Sequence, residues 1–269
     1  MTADESTHAD LIRVAHLLAD AARPKTLEHF RSTNLSAADK GGGSFDPVTV
    51  ADRAAEEAMR AVLAAERPDD AILGEEFGAK DGQSGLTWVL DPIDGTRGYI
   101  SGTPTWGVLI SVADADGPFF GIIDQPYIQE RFVGGLGQAE VTGPMGTRTL
   151  STHSPRDLSE ATVLTTFPEV GTPAEGAAFH AVAGRARLTR YGMDCYGYAL
   201  LASGQVDLVI EAGLQAYDIQ APIAVVEAAG GLVTDWSGGP AHQGGRAIAA
   251  ANPAIHAQAL TILKELPRG

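Results

Sequence analysis

Two short apolar runs that each end in acid constrain this chain most: AILGEE at 71–76 and TWVLDPID at 87–94. Apolar stretches of this length bounded by turn-forming residues read as buried strands, which places Glu75, Asp91 and Asp94 where strands end. Strand ends are where α/β proteins assemble their sites. Pro92 cannot donate to a sheet ladder, and the expectation is that it turns the chain and swings Asp94 back toward Asp91. Convergent carboxylates at neutral pH repel unless a cation compensates them, and an all-oxygen donor set favours Mg²⁺ or a similar hard ion. On the local residues alone, a helix N-cap is the alternative role for Asp94.

Gly95 and Thr96 follow at once. Glycine lets the backbone approach a ligand closely, and a helix starting at Thr96 would offer free amides to an anion such as phosphate. A cation cluster and a helix start on one bend suit phosphoryl transfer, in which the Thr96 hydroxyl can relay a proton. The formal charge of −15 repels nucleic-acid phosphates and anionic lipid, and no basic stripe offsets it. The acidic opening MTADESTHAD has no basic or apolar leader, and no apolar run approaches the ~18 residues of a membrane span. A soluble cytoplasmic protein without nucleic-acid or membrane partners is therefore expected. A single cysteine, Cys195, excludes an internal disulfide, and the seven histidines show no zinc-ligand spacing, so oxygen must bind any metal.

With 269 residues, 44% of them hydrophobic, the chain can form one large domain or two joined halves. Leu11, Ala15, Leu18 and Ala22 mark one buried helix face, and Pro24 is expected to close the helix or shortly to precede its close. The stretch KGGGSFDPVT is too glycine-rich for regular structure, and Lys40–Phe45 reads either as a surface loop or as a mobile flap. Ala55, Met59, Val62 and Leu63 restore a helical stripe ended by RPDD. Its acids Asp52, Glu56 and Glu57 suit the positive end of the helix dipole, and Glu56 and Glu57 are read as helix-end electrostatics. SVADADGPFFGIIDQPY and ERFVGG read as antiparallel strands. GLGQAEVTG lacks the following apolar helix of a dinucleotide fingerprint. The polar region from about 142 to 160 divides an N-terminal half, 1–145, from a C-terminal half, 146–269, within one catalytic unit. In the second half YALLASG reads as a helix, VDLVIE as a strand, and Asp218 as the opening of a helix with the stripe Ile219, Ile223 and Val226. Asp218 is either an ordinary N-cap or a fourth carboxylate for the cation.

GEE at 74–76, WVLDPIDGT at 88–96 and YDIQAPIAVVEAAGG at 217–231 resemble, in order and separation, the three signatures of the inositol monophosphatase superfamily of Mg²⁺-dependent, lithium-sensitive phosphatases. The resemblance implies an α+β fold, an αβαβα layered sandwich of the inositol monophosphatase and fructose-bisphosphatase kind, usually a homodimer. It implies two to three Mg²⁺ ions: one on Glu75, Asp91 and the carbonyl of Ile93, a second on Asp91, Asp94 and Asp218, and a weaker third on Glu75 with Glu76. It further implies that Thr96, oriented by Asp52 and assisted by Glu75, activates the attacking water while the Gly95 and Thr96 amides hold the phosphate.

YGMDCYGYALLASGQVDLVIEAGLQAYD, with GIIDQPYIQERFVGG and VTDW, is most similar to the histidinol-phosphatase branch of that family. Asp194 stands where inositol phosphatases typically carry a small residue, and Gly192, Asp194 and Glu211 are the expected substrate contacts. A carboxylate pair suits the amine and imidazole of histidinol phosphate, which can be cationic, whereas an extra aspartate beside a neutral polyol is desolvated without a partner. The alternative is that Asp194 only caps the CYGYALLASG helix. Tyr217 and Arg97-Gly98-Tyr99 depart from the residues common in the family at those positions, outside the metal set. Cys195 is read as packing. The expected function is Mg²⁺-dependent hydrolysis of L-histidinol phosphate in histidine biosynthesis. The alternatives are an inositol or sugar-phosphate phosphatase of the same fold, and a catalytically silent, metal-loaded binding protein.

Overall fold

The computed structural model describes residues 3–32, 37–39, 47–153 and 157–265. Leu11, Ala15, Leu18 and Ala22 are all buried on one face of helix α1 (Ala3–His29), as their spacing predicts. Pro24 lies inside this helix and shortly precedes its close at His29, one of the two expected arrangements. The N–H that Pro24 lacks would have served the carbonyl of Asp20, an exposed residue, so little is lost by leaving that carbonyl to solvent. Strands β1 (Ala37–Asp39) and β2 (Pro47–Thr49) pair antiparallel. The Lys40–Phe45 segment, read above as a loop or flap, lies outside the described residues. Helix α2 (Val50–Glu66) buries Ala55, Met59 and Leu63 as expected.

AILG becomes β3 (Ala71–Gly74), and β4 (Gly78–Lys80) folds back beside it; TWVLDPID becomes β5 (Thr87–Asp94), parallel to β3. The chain does not turn at Pro92. Strand β5 continues to Asp94 with a bulge, pairing Asp91 with Leu109 and Asp94 with Gly107 of the next strand. A bulge interrupts the ladder where proline has no N–H to give, and it brings Asp91 and Asp94 together without ending the strand. Helix α3 (Thr96–Ser101) follows, then antiparallel β6 (Gly107–Asp114), β7 (Gly117–Gln125), β8 (Glu130–Gly135), β9 (Gln138–Gly143) and β10 (Gly146–Thr149). These strands form an eight-stranded sheet in the order β10-β9-β8-β7-β6-β5-β3-β4. β9 and β10 pair across residues 144–145, so the first sheet extends to Thr149.

The rest of the chain supplies β11 (Thr162–Thr165), α4 (Pro173–Ala183), β12 (Leu188–Tyr191), α5 (Asp194–Ala202), β13 (Leu208–Leu214), α6 (Ala216–Ala228), β14 (Leu232–Thr234), β15 (Gly245–Ala250) and α7 (Pro253–Lys264). The second sheet has five strands in the order β12-β11-β13-β15-β14. Alternation along the strands assigns the layers. On β6, Val108, Ile110 and Val112 pack with Leu11, Leu18 and Met59 of α1 and α2, while Leu109 points the other way, toward Ile219 and Val226 of α6. On β13, Val209 joins the same central core, while Leu208 and Ile210 pack with Phe179 of α4 and Ile255 of α7. Helices α5 and α6 therefore lie between the sheets, and the expected αβαβα layering is what the chain forms.

Candidate active site

The bulge on β5 fixes the first acids. Asp91 is buried, and its Oδ1 accepts the N–H of Ile93 at 3.0 Å, which folds the carboxylate over the bulged backbone. Glu75 follows β3 directly and its N–H donates to the Leu90 carbonyl of β5 at 3.2 Å. Asp218 lies in the first turn of α6, and its Oδ2 accepts the N–H of Gln215 at 2.7 Å in a capping box. The N-cap is Gln215 and not Asp218, which is the third helical residue and the capping-box partner; Asp91, Asp94 and Asp218 nevertheless present carboxylate oxygens all within 4.8 Å of one another. A second set, Asp52, Glu75 and Glu76, meets the same distance. Glu75 also hydrogen-bonds Asp91, which makes the two sets one continuous acidic surface.

Burial raises the Asp91 carboxyl well above the usual range, with the charges of Glu75, Asp94 and Asp218 adding to it. Burial does the same to Asp94, followed by Asp194 and Asp218, against the pull of the Cys195 N–H that donates to its Oδ2 at 2.6 Å. An oxygen-only donor set strained by mutual repulsion fits a hard divalent cation, because the cation relieves the repulsion and needs no other ligand type. The cap reading of Asp94 fails, since the residue before α3 is Gly95, in the left-handed region at φ 87° and with no side-chain cap. The Thr96 hydroxyl donates to the Ile93 carbonyl at 3.1 Å.

Asp194 does not cap α5 either. It is the first helical residue, at φ 45°, a strained value for a residue with a side chain, and no side-chain cap bond forms at that helix start. Its carboxylate points instead at Gly95, where a Cβ would lie 2.7 Å from its Cγ, and accepts a long hydrogen bond from Thr105 at 3.4 Å. Burial lifts its carboxyl to about 6, with Thr105 and Arg97 pulling the other way. Asp194, Asp94, Glu75 and Asp218 open onto one cleft of about 370 Å³, whose wall also includes Glu211, Tyr217 and Phe167. Glu211 is buried under Thr165 and Thr166, accepting both hydroxyls, at 3.1 and 2.9 Å, and the Thr166 N–H at 2.7 Å. Burial raises its carboxyl to about 7 despite those bonds. Arg97 reaches across the mouth, its guanidinium 4.7 Å from the Phe167 ring centre.

Gly192 stands just behind this wall, its N–H bonded to the Thr165 and Thr166 carbonyls; among the described residues it does not line the cleft. Three contributors escaped the sequence. Thr166 and Phe167 sit in a stretch with no motif, and only the fold brings them to Glu211 and Arg97. Glu56 is no helix-end charge: it is buried, paired with Arg60, and accepts the N–H groups of Glu76 and Phe77. Its signal was spacing, one turn after Asp52 on the buried face of α2.

Residues 8–268 match the family model described as the inositol monophosphatase family. Among curated proteins, the chain is 42% identical over 227 residues to a bifunctional phosphatase IMPL2, chloroplastic, from Arabidopsis thaliana, covering 84% of this chain and 64% of that one. It is 34% identical over 261 residues to a histidinol-phosphatase of Mycobacterium tuberculosis, covering 96% and 98%. Among solved structures, an inositol monophosphatase from Zymomonas mobilis superposes with a TM-score of 0.84 at 39% identity, covering 98% of this chain and 100% of that one. By its sequence and by its layered fold, the chain belongs to the inositol monophosphatase family.

Proposed function

We propose that this phosphatase hydrolyses L-histidinol phosphate to histidinol and phosphate with Mg²⁺ as cofactor, serving histidine biosynthesis. The observation that carries the substrate reading is Asp194: a half-buried, backbone-strained carboxylate that caps nothing and shares one cleft with Glu211 and the acidic cluster. Strain of ~1–3 kcal/mol persists where the surroundings use it, and a cationic amine or imidazole is the partner such a pair accepts.

Glu75, Asp91 and the Ile93 carbonyl would hold one cation, Asp91, Asp94 and Asp218 a second, and Glu75 with Glu76 a weaker third. Bound there, the ions supply Lewis acidity, neutralising phosphate charge and making water a better nucleophile at neutral pH. The chain's own residues do the rest. The Gly95 and Thr96 amides hold the phosphate at the start of α3, and glycine at 95 lets it approach the backbone. The Thr96 hydroxyl, rotating away from the Ile93 carbonyl, takes the proton of the attacking water as it passes its own to Asp52, with Glu75 orienting the water, and the alkoxide released when the P–O bond breaks takes up a proton from solvent. Asp194 and Glu211 receive the cationic end of the alcohol. The proposal includes a cytoplasmic homodimer, which fractionation and sedimentation test.

An inositol or sugar-phosphate phosphatase is the second reading, favoured by the likeness to the Zymomonas mobilis inositol monophosphatase; a silent metal-loaded protein is the third. Phosphate release from L-histidinol phosphate and from inositol 1-phosphate, with Mg²⁺ and with chelator, separates them. Chelator-sensitive preference for histidinol phosphate supports the proposal. Preference for inositol 1-phosphate replaces the substrate, and release from neither ester moves the reading to another phosphate ester or to binding alone.

A further inference from the structure

Glu56 and Asp52 lie one turn apart on α2, so a single helix face delivers two buried carboxylates to the same region. Asp52 joins Glu75 and Glu76, and Glu56 goes to the backbone that carries them. Its Oε2 accepts the N–H of Glu76 at 2.7 Å and its Oε1 the N–H of Phe77 at 3.2 Å. The two backbone donors that follow Glu75 therefore end on one carboxylate. Arg60 completes the arrangement: its Nε pairs with Glu56 Oε1 at 2.7 Å, and its Nη2 donates to the Gly78 carbonyl. On the other side, Gly74 leaves the room Glu56 needs, since a Cβ there would lie 2.0 Å from Oε1. Residues 74–78 are thus held by one part-buried ion pair, with Glu75 among them.

We propose that Glu56 is a positioning residue for cation binding: it fixes the turn that aims the Glu75 carboxylate at Asp91 and keeps Asp52, Glu75 and Glu76 in range of one another. The proposal rests on the cation reading of Glu75 given above. The physical need is clear from the like charges. Acids this close repel, and a turn secured only by its own backbone would relax by swinging Glu75 outward, whereas two charge-assisted hydrogen bonds to a buried carboxylate oppose that motion. Partners that orient metal ligands typically shift metal affinity by ~10- to 100-fold when removed.

The test is calorimetric titration of the metal-stripped full chain with Mg²⁺, without substrate and well below its melting temperature. Glu56→Gln, which keeps the size but not the charge, is expected to weaken Mg²⁺ binding ~10- to 100-fold, while the exposed neighbour variant Glu57→Gln binds as the parent does. Saturating Mg²⁺ is expected to restore kcat in Glu56→Gln with the KM for the phosphate ester unchanged. Gly74→Ala displaces the Glu56 carboxylate without removing it; it should weaken binding by a similar factor, and the double variant should be no worse than either single one. A Glu56→Gln or Gly74→Ala protein that melts lower yet binds Mg²⁺ with parental affinity overturns the proposal, leaving Glu56 a fold-stabilising residue only. A parent that binds no Mg²⁺ overturns it together with the cation reading. A parent that binds Mg²⁺ but does not hydrolyse histidinol phosphate removes only the substrate, and the comparison of affinities still decides Glu56.

Discussion

Asp94 faces Asp218 and Asp194 at once and is held in place by a single backbone donor, the Cys195 N–H at 2.6 Å. Replacing one oxygen by an amide keeps the shape and removes the charge the cation requires. Asp94→Asn is therefore expected to lower turnover by ~10³-fold or more, about 4 kcal/mol of barrier, with an unchanged circular dichroism spectrum. Retained turnover with normal metal dependence would overturn its assignment. For Asp194→Ala, the expected loss in kcat/KM is ~10- to 100-fold on histidinol phosphate and small on inositol 1-phosphate; equal losses on both esters would return Asp194 to a general structural role. Glu211 gives a pH signature. Its carboxyl is raised from 4.5 to about 7 by burial, so its contribution to stability is fully present below about 4.5 and is lost as pH rises through about 7. Melting temperatures of the chelated protein should fall across that window, and Glu211→Gln should flatten the fall. At this scale Glu75, Asp91 and Asp94 were legible as strand-end acids because each follows a short apolar run. The role of Glu56 was not: its spacing from Asp52 put it on the buried face of α2, but spacing alone does not say that it meets a backbone turn.

Helix α3 is too short to hold itself, and its seat is aromatic. Tyr99 packs with Phe30 and Trp106 under the helix, its ring centre 5.2 and 4.9 Å from theirs, and its hydroxyl donates to the Thr26 carbonyl of α1 at 2.6 Å. Arg31 secures the other end, donating to the Gly102 carbonyl at 2.9 Å and to the Tyr127 hydroxyl at 2.6 Å. Tyr99→Phe leaves a buried carbonyl without its donor, so urea denaturation should show a loss of ~1–3 kcal/mol. No measurable loss would mean that packing alone seats the helix. Elements were read correctly where a period or an apolar run announced them: α1, α2, α6 and the strands β3, β5, β6, β7 and β8 of the first sheet, whereas β4, β9 and β10, in polar and glycine-rich stretches, were not. Pro92 was misread as a turn: it sits inside β5, where a bulge absorbs the missing N–H.

The two sheets meet at the cleft, and the whole molecule decides whether it works. Chelation should lower the melting temperature, and Mg²⁺ at 100 times its dissociation constant should restore ~2.7 kcal/mol. Because burial and neighbouring acids raise the Asp91 and Asp94 carboxyls, cation binding should release protons and tighten as pH rises. Calorimetry in two buffers of different ionisation enthalpy checks this, and identical heats in both would mean the acids are already ionised. No helix among the described residues is long and apolar enough to cross a membrane. The sequence alone determined the strand-end acids, the glycine and threonine after them, the helix start at Asp218 and, through three signatures in order, the family. These are short-range facts, written in spacing and residue type. Only the tertiary structure decided that Asp218 is capping-box partner and cluster member together, that Asp194 turns from α5 toward Gly95, and that Glu56 holds the turn beyond Glu75. Asp94 and Asp218 are 124 positions apart in the chain, and their approach depends on α6 lying buried between two sheets, a matter of packing that no local pattern encodes.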